Sequence, residues 1–246
     1  MNAIDRYFNK AGELLKLVLE TQKDCIEKTA KCFADTIEKK KKIFAFGCSH
    51  GAIIVEEMVY RAGGLAVVNP IFNPALMLNI RPITLTSDFE RMPMQSKALL
   101  DASGASEGDC IFIHSVSGRN PGIVEMAACA KDKGLVVIGL TNVSYSSASS
   151  SRDKSGKLLY QLCDICIDNK GEFGDASIDL VGLPGKAGPT STVVGAAVVN
   201  SISVRTAEIL LERGIAPPVI QSANIDGNDD YNKKIFEEYA ECILYM

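Results

Sequence analysis

Between residues 43 and 168 the chain repeats one pattern, a short uninterrupted apolar run followed by a stretch whose apolar residues recur at helical spacing. Runs at Ile43–Phe46, Leu65–Val68, Cys110–Ser115, Val136–Leu140 and Ile165–Asp168 read as strands. Helices are expected at Ile53–Ala62, Met94–Ala102, Pro121–Lys133 and Thr192–Arg213. Strands that are apolar throughout, rather than alternating, need cover on both faces, and strands separated by helices pair in parallel. The expected fold class is therefore α/β, a three-layer α-β-α sandwich around a parallel five-stranded sheet.

Apolar positions from Ile4 to Ile37 also keep helical spacing, which predicts two helices or one bent helix ahead of the sheet. The expected organisation is a helical extension over residues 1–38 and one structural unit over residues 39–246. The Lys39–Lys42 run reads as a solvated turn. Ser144–Gly156, rich in serine, reads as a mobile loop over a site rather than a linker, because the strand series continues beyond it.

Composition narrows the function classes. Among 246 residues, the net charge of −4 provides no basic excess for a polyphosphate backbone, so nucleic acid is not an expected partner. No apolar run reaches the roughly 18 residues of a membrane span, and the N-terminus lacks a signal-peptide layout. A cytoplasmic protein with no membrane partner is expected. Its eight cysteines are then expected as free thiols. Cys163 and Cys166 form a C-x-x-C, but on a strand positions three apart point to opposite faces, so no pairing is expected. Two histidines are too few for a histidine-rich metal cluster, and Asp226–Asp230 lacks calcium-loop spacing. No metal is expected.

In open parallel sheets ligands sit beyond the carboxyl ends of the strands. Two strand-to-helix loops there are rich in glycine and hydroxyls. The first, Gly47-Cys48-Ser49-His50-Gly51, lacks G-x-G-x-x-G, and the next strand ends in Asn69 where a ribose-binding carboxylate would stand. No Gly-Lys-Ser/Thr loop occurs either, so no nucleotide cofactor is expected. The second loop, Ser115-Val116-Ser117-Gly118-Arg119-Asn120, precedes Pro121, a favoured first helical residue. Free amides and the positive helix end there suit an anion, and a phosphate monoester fits hydroxyl donors that add no charge.

The run Ser115-x-Ser-Gly-x-Asn-Pro, a helix with Ala130-Lys131-x-x-Gly134, then Val136-Val-Ile-Gly-Leu-Thr141 resembles the signature of the SIS (sugar isomerase) phosphosugar-binding domain. That family commonly reads S-x-S-G-x-T, A-K-x-x-G and I-x-L-T. The likeness continues through Glu56-Glu57, Tyr60–Gly64, Asn69-Pro70, Gly188–Thr192 and Pro217-Pro218, and the whole chain resembles the small bacterial stand-alone SIS proteins of unassigned reaction. Relatives of this type tend to show G-S-G-H-S-H in the first loop, whereas here one histidine and one glycine of that pattern are missing.

The resemblance implies a flavodoxin-like fold, a phosphosugar ligand, often bound across a dimer interface, and no cofactor. It implies that Ser115, Ser117 and Asn120 hold phosphate, with Asn120 departing from the common Thr or Ser, and that Gly118 and Val116 give close backbone approach. Gly47, Cys48 and Ser49 of the first loop join the sugar site, as do Thr190 and Ser191, which read equally as the cap of a helix.

Aldose–ketose interconversion moves a proton on the carbon beside a carbonyl, so a carboxylate or imidazole must lie within reach. Glu56 and Glu57 resemble the helix carrying the acid–base glutamate of some SIS isomerases, and only one of two adjacent helix positions can face a site. His50 is expected to assist ring opening, and His114 to be a buried, satisfied imidazole. A sugar-phosphate isomerase is the leading expectation. A phosphosugar-sensing regulator without turnover and a lyase of N-acetylmuramic acid 6-phosphate ethers are the alternatives. The apolar crowding of Val193, Val194, Ala196–Val199 and Ile202 on one helix predicts a homodimer or larger homo-oligomer.

Overall fold

The computed structural model describes residues 1–246. In chain order the elements are α1 (Ala3–Glu38), β1 (Ile43–Gly47), α2 (His50–Met58), β2 (Val68–Pro70), α3 (Leu85–Glu90), α4 (Gln95–Ala102), β3 (Cys110–His114), α5 (Pro121–Asp132), β4 (Val136–Thr141), α6 (Val143–Ser147), α7 (Leu159–Leu162), β5 (Ile165–Asp168), β6 (Ala176–Asp179), β7 (Lys186–Pro189), α8 (Ser191–Glu212) and α9 (Asn228–Glu238).

β1 to β5 form one parallel sheet in the order β2-β1-β3-β4-β5. Its strands alternate sides with period two, and both sides are dry. Ile43, Ala45, Cys110, Phe112, Ile138 and Leu140 face the core formed with α1, α2 and α8. Phe44, Phe46, Ile111, Ile113 and Val137 face a second core under α4, α5 and α7. This double burial is the reason the strands read as continuous apolar runs. The order reverses between β1 and β3, so the loops following these two strands flank a topological switch point.

The N-terminal segment is one 36-residue helix rather than two, started by a capping box between Asn2 and Asp5. It is part of the core, contributing Leu14, Val18, Ala30, Phe33 and Ile37. It runs parallel to α8: Arg205 pairs with Glu27, Thr206 bonds to Ala30 and Arg213 pairs with Asp35, all near the same sequence offset. By length and composition α8 could span a bilayer, but half of its most apolar window is buried against these neighbours.

Other boundaries moved for local reasons. The run Leu65–Val68 does not open the second strand, because its backbone turns to residues 218–220: Ala66 N donates to the Pro218 carbonyl at 2.7 Å, and Leu65 bridges Val219. α2 starts at His50, earlier than expected, and stops at Met58 because Val59 is extended and Tyr60 has φ of 46°. The β6–β7 hairpin and the polar α9 carry no apolar periodicity that would have announced them. The hairpin leans on α1, where Tyr7 Oη donates to the Pro189 carbonyl at 2.7 Å.

Candidate functional site

The first loop is shaped by two glycines. A Cβ on Gly47 would stand 2.5 Å from the Gly51 carbonyl oxygen, and one on Gly51 would stand 2.7 Å from that of His114. The end of β1, the start of α2 and the end of β3 are thus in direct backbone contact. Ser49 turns the chain with φ of 52° and ψ of −127°, a conformation costly for a residue bearing Cβ. Its amide donates to the Leu76 carbonyl at 2.7 Å and its hydroxyl pairs with Thr86 Oγ1 at 2.9 Å. Cys48 is buried, and burial pushes its thiol well above the usual range. His50, the first residue of α2, is exposed.

The second loop is held mainly through its backbone. The Val116 carbonyl accepts from Asn142 N at 3.0 Å and from Thr141 Oγ1 at 3.1 Å. Gly118, with φ of 58°, donates to Ser115 Oγ at 3.2 Å and accepts from Leu159 N at 2.8 Å. A Cβ at Gly118 would come within 3.1 Å of both Thr141 Oγ1 and Leu159 Cβ. Ser117 differs: it is half-buried, and neither its amide nor its hydroxyl has a hydrogen-bond partner within the chain. Two donors therefore remain free at the N-terminal end of the 12-residue α5.

Asn120 is the residue before that helix, but its side chain does not cap it. Its Oδ1 accepts from Arg152 Nη1 at 2.9 Å, and its side chain neighbours the Glu90 carboxylate. The serine-rich segment, expected as a mobile loop, contains α6 and is tied to the second loop: Arg152 N donates to the Arg119 carbonyl at 2.9 Å, and Arg119 Nη2 to Ser150 Oγ at 3.2 Å. Ser146 Oγ, buried beneath Gly118, has no partner.

Glu90 is the carboxylate that sequence reasoning missed. It ends α3, and its backbone lies with the Cys48 thiol against Gly122 at the start of α5, so it sits between the two loops. Burial raises its pKa, opposed by the neighbouring Asn120 side chain and the charges of Arg91 and Arg152. No periodic signal surrounds it in the sequence.

The residues expected on α2 are placed otherwise. Glu56 is exposed, and Glu57 pairs with Arg61 and accepts from Asn200 Nδ2 at 2.7 Å. Glu57 stands seven residues beyond His50, about 10 Å down the helix from the first loop at 1.5 Å per residue. Thr190 and Ser191 are buried and engaged by the chain itself. Asp175 Oδ1 accepts both of their amides at 3.1 and 2.9 Å, Asp175 Oδ2 accepts Ser191 Oγ at 2.6 Å, and Thr190 Oγ1 pairs with Ser177. An internal carboxylate thus occupies the N-terminus of α8.

His114 is buried, as expected, but only half satisfied. Nδ1 lies 3.2 Å from the Gly51 carbonyl and so carries the proton, leaving Nε2 as an acceptor without a partner. Burial lowers its pKa to about 4, so the ring is neutral at neutral pH.

This arrangement coincides with a known family. The SIS domain model matches residues 6–142, more than half of the chain and inclusive of both loops. The chain belongs to the SIS domain family. Full-length relatives include UPF0309 proteins of Shouchella clausii and Oceanobacillus iheyensis, each 45% identical over 246 residues and covering 100% of both chains. A UPF0309 protein of Streptomyces coelicolor is 40% identical, covering 98% of this SIS chain and 96% of its own. Among solved structures, a phosphoheptose isomerase from Francisella tularensis superposes with a TM-score of 0.57 at 14% identity, covering 85% of this chain and 100% of that one. A phosphoheptose isomerase from Neisseria gonorrhoeae gives a TM-score of 0.53 at 15% identity, covering 84% and 96%. These likenesses show the fold.

Proposed function

We propose that this SIS protein is a sugar-phosphate isomerase of the aldose–ketose type, acting by acid–base proton transfer without a cofactor. The observation that carries the reading is the pair of free donors on Ser117, amide and hydroxyl, at the start of α5 beside the switch point. Ser115 and Gly118 hold the loop in shape, and Asn120, oriented by Arg152, borders it. The phosphoheptose isomerase neighbours support the substrate class.

Opening a sugar ring and shifting a proton between adjacent carbons requires one group at the mouth and one beside the reacting carbons. His50, exposed at the first loop, takes the first role. For the second, Glu90 has the better placement: it lies between the loops, and its raised pKa brings it nearer the range of a general base. Glu57, bound to Arg61 and Asn200, is the alternative base, and Glu56 faces solvent.

The test is a screen of hexose, heptose and amino-sugar phosphates in heavy water by NMR. Exchange of the proton beside the carbonyl supports an isomerase. Binding without exchange for every ligand makes the protein a phosphosugar sensor, and absence of binding overturns the reading.

A further inference from the structure

Strand alternation points the two thiols of the C-x-x-C apart, but β5 begins at Ile165, as expected, and Cys163 lies before it in the turn ending α7, where that rule does not apply. There Cys163 Sγ donates to the Leu159 carbonyl at 3.1 Å and lies directly over Gly139 of β4, in the space a side chain would fill. Gly139 is the register partner of Cys166 across the parallel β4–β5 pair. Register partners in adjacent parallel strands project to the same face, so Cys166 presents its thiol to the face on which Cys163 sits. Adjacent strands lie about 4.8 Å apart, so the two thiols are neighbours on this face, and both residues are half-buried, within reach of small solutes.

We propose that Cys163 and Cys166 form a redox-active dithiol whose oxidation to an intramolecular disulfide loosens the candidate anion loop through Leu159. The path is short. Oxidation removes the thiol hydrogen that Cys163 donates to the Leu159 carbonyl, and Leu159 is the residue whose amide holds the Gly118 carbonyl at 2.8 Å and whose Cβ packs on Gly118. Hydrogen peroxide serves as the oxidant. The Cys166 thiolate attacks one peroxide oxygen, breaking the O–O bond and, after protonation, releasing water to leave a sulfenic acid. Cys163 sulfur then attacks the sulfenic sulfur, and a second water leaves as the S–S bond closes. Two thiols and one peroxide thus give one disulfide and two waters, and a dithiol reductant reverses the change. The roles follow from the surroundings of each thiol: Cys163 keeps its proton on the Leu159 carbonyl and its pKa is raised by its neighbour Cys166 and by burial, whereas the pKa of Cys166 is lowered by the neighbouring Cys163. A second thiol pair, Cys32 with Cys110, is less accessible because Cys110 is fully buried on β3.

The loop coupling rests on the proposed function for its meaning but not for its test. The full-length protein is titrated with hydrogen peroxide, and the products are mapped by peptide mass spectrometry after alkylation. Amide hydrogen exchange is then compared between reduced and oxidised protein without any ligand. The expected result is a disulfide linking Cys163 to Cys166, with exchange at residues 118–120 and 159–163 at least tenfold faster and restored by dithiothreitol. Cys163→Ser, which keeps a donor for the Leu159 carbonyl, is expected to show no such change under peroxide. A disulfide at Cys32–Cys110 instead, or a Cys163–Cys166 disulfide with unchanged exchange, overturns the proposal. Failure of every sugar phosphate to bind would overturn the isomerase reading and leave this result standing.

Discussion

Arg152 donates through Nη1 to Asn120 Oδ1 at 2.9 Å, so the serine-rich segment fixes the residue that leads into α5. The same arginine donates its amide to the Arg119 carbonyl. Arg152→Met removes the side-chain bond while keeping the stem, and frees Asn120 to rotate away from the loop. It is expected to weaken a phosphosugar ligand by about 1 kcal/mol, a fewfold change in Kd by calorimetry. Unchanged affinity would show that Asn120 needs no outside support.

Ser117→Ala removes a hydroxyl that no group in the chain uses, so fold stability should stay within about 0.5 kcal/mol. Affinity for a phosphate monoester should fall by about 1 to 2 kcal/mol, the range for a hydrogen bond to a charged group. Loss of stability with affinity intact would place the hydroxyl in the fold rather than the site.

What the sequence could show depended on how far apart the partners lie. The strands were legible because Phe44 and Phe46 enter one core while Ile43 and Ala45 enter the other, leaving no polar position to break the run. The second loop was legible because its hydroxyls, glycine and proline are contiguous. Thr190 and Ser191 read as donors for a ligand because Asp175, fifteen and sixteen residues earlier and itself at φ of 71°, gives no local sign that it will fold back on them. Glu90 was hidden for the same reason, as it arrives from a segment without periodicity and meets Asn120 only in three dimensions. The cysteine pair was not legible because the alternation rule does not reach Cys163: the strand starts at Ile165, as expected, and Cys163 lies two residues before it in a turn whose direction the sequence does not announce.

The imidazole of His114 titrates at about 4 in the folded chain, below the ordinary 6.5. Between those values the unfolded chain binds a proton that the folded chain does not, so this residue's contribution makes stability rise with pH across the window. Stability is accordingly lost as pH falls from about 6.5 toward 4, by up to about 3 kcal/mol at roughly 1.4 kcal/mol per pH unit. Urea unfolding at about pH 7 and about pH 4.5 should show a steeper loss for the wild type than for His114→Gln, which does not titrate. Equal losses would mean that the ring is not held neutral.

Assembly is expected to use the parallel pair α1 and α8. Ile4, Phe8 and Leu19 on α1 are 68%, 73% and 61% exposed, and Val204 on α8 is 67% exposed. Beside them an apolar groove of about 310 Å³ runs between Leu15, Val18, Val194 and Val198. A second copy of the same face would cover this stripe. Light scattering at micromolar concentration should give twice the 26.4 kDa chain mass. Phe8→Asp with Val204→Asp, at positions that contribute little to the fold, should return it to the monomer. A wild-type monomer would reject the interface.

The base is decided by three variants assayed on whichever sugar phosphate shows solvent exchange. Glu→Gln keeps shape and most hydrogen bonding but removes the proton acceptor, so at the true base exchange should fall by about 100-fold or more with little change in affinity. Glu90→Gln is expected to do this, because its carboxylate lies between the loops and is raised toward the working range by burial. Glu57→Gln loses its charge pairing with Arg61, and with it some of the link between α2 and α8, so it should lower stability rather than exchange. Glu56→Gln, at an exposed position, should change neither. Exchange that survives in Glu90→Gln and disappears in Glu57→Gln would move the base to α2, where a carboxylate about 10 Å along the helix must then reach the site of another copy.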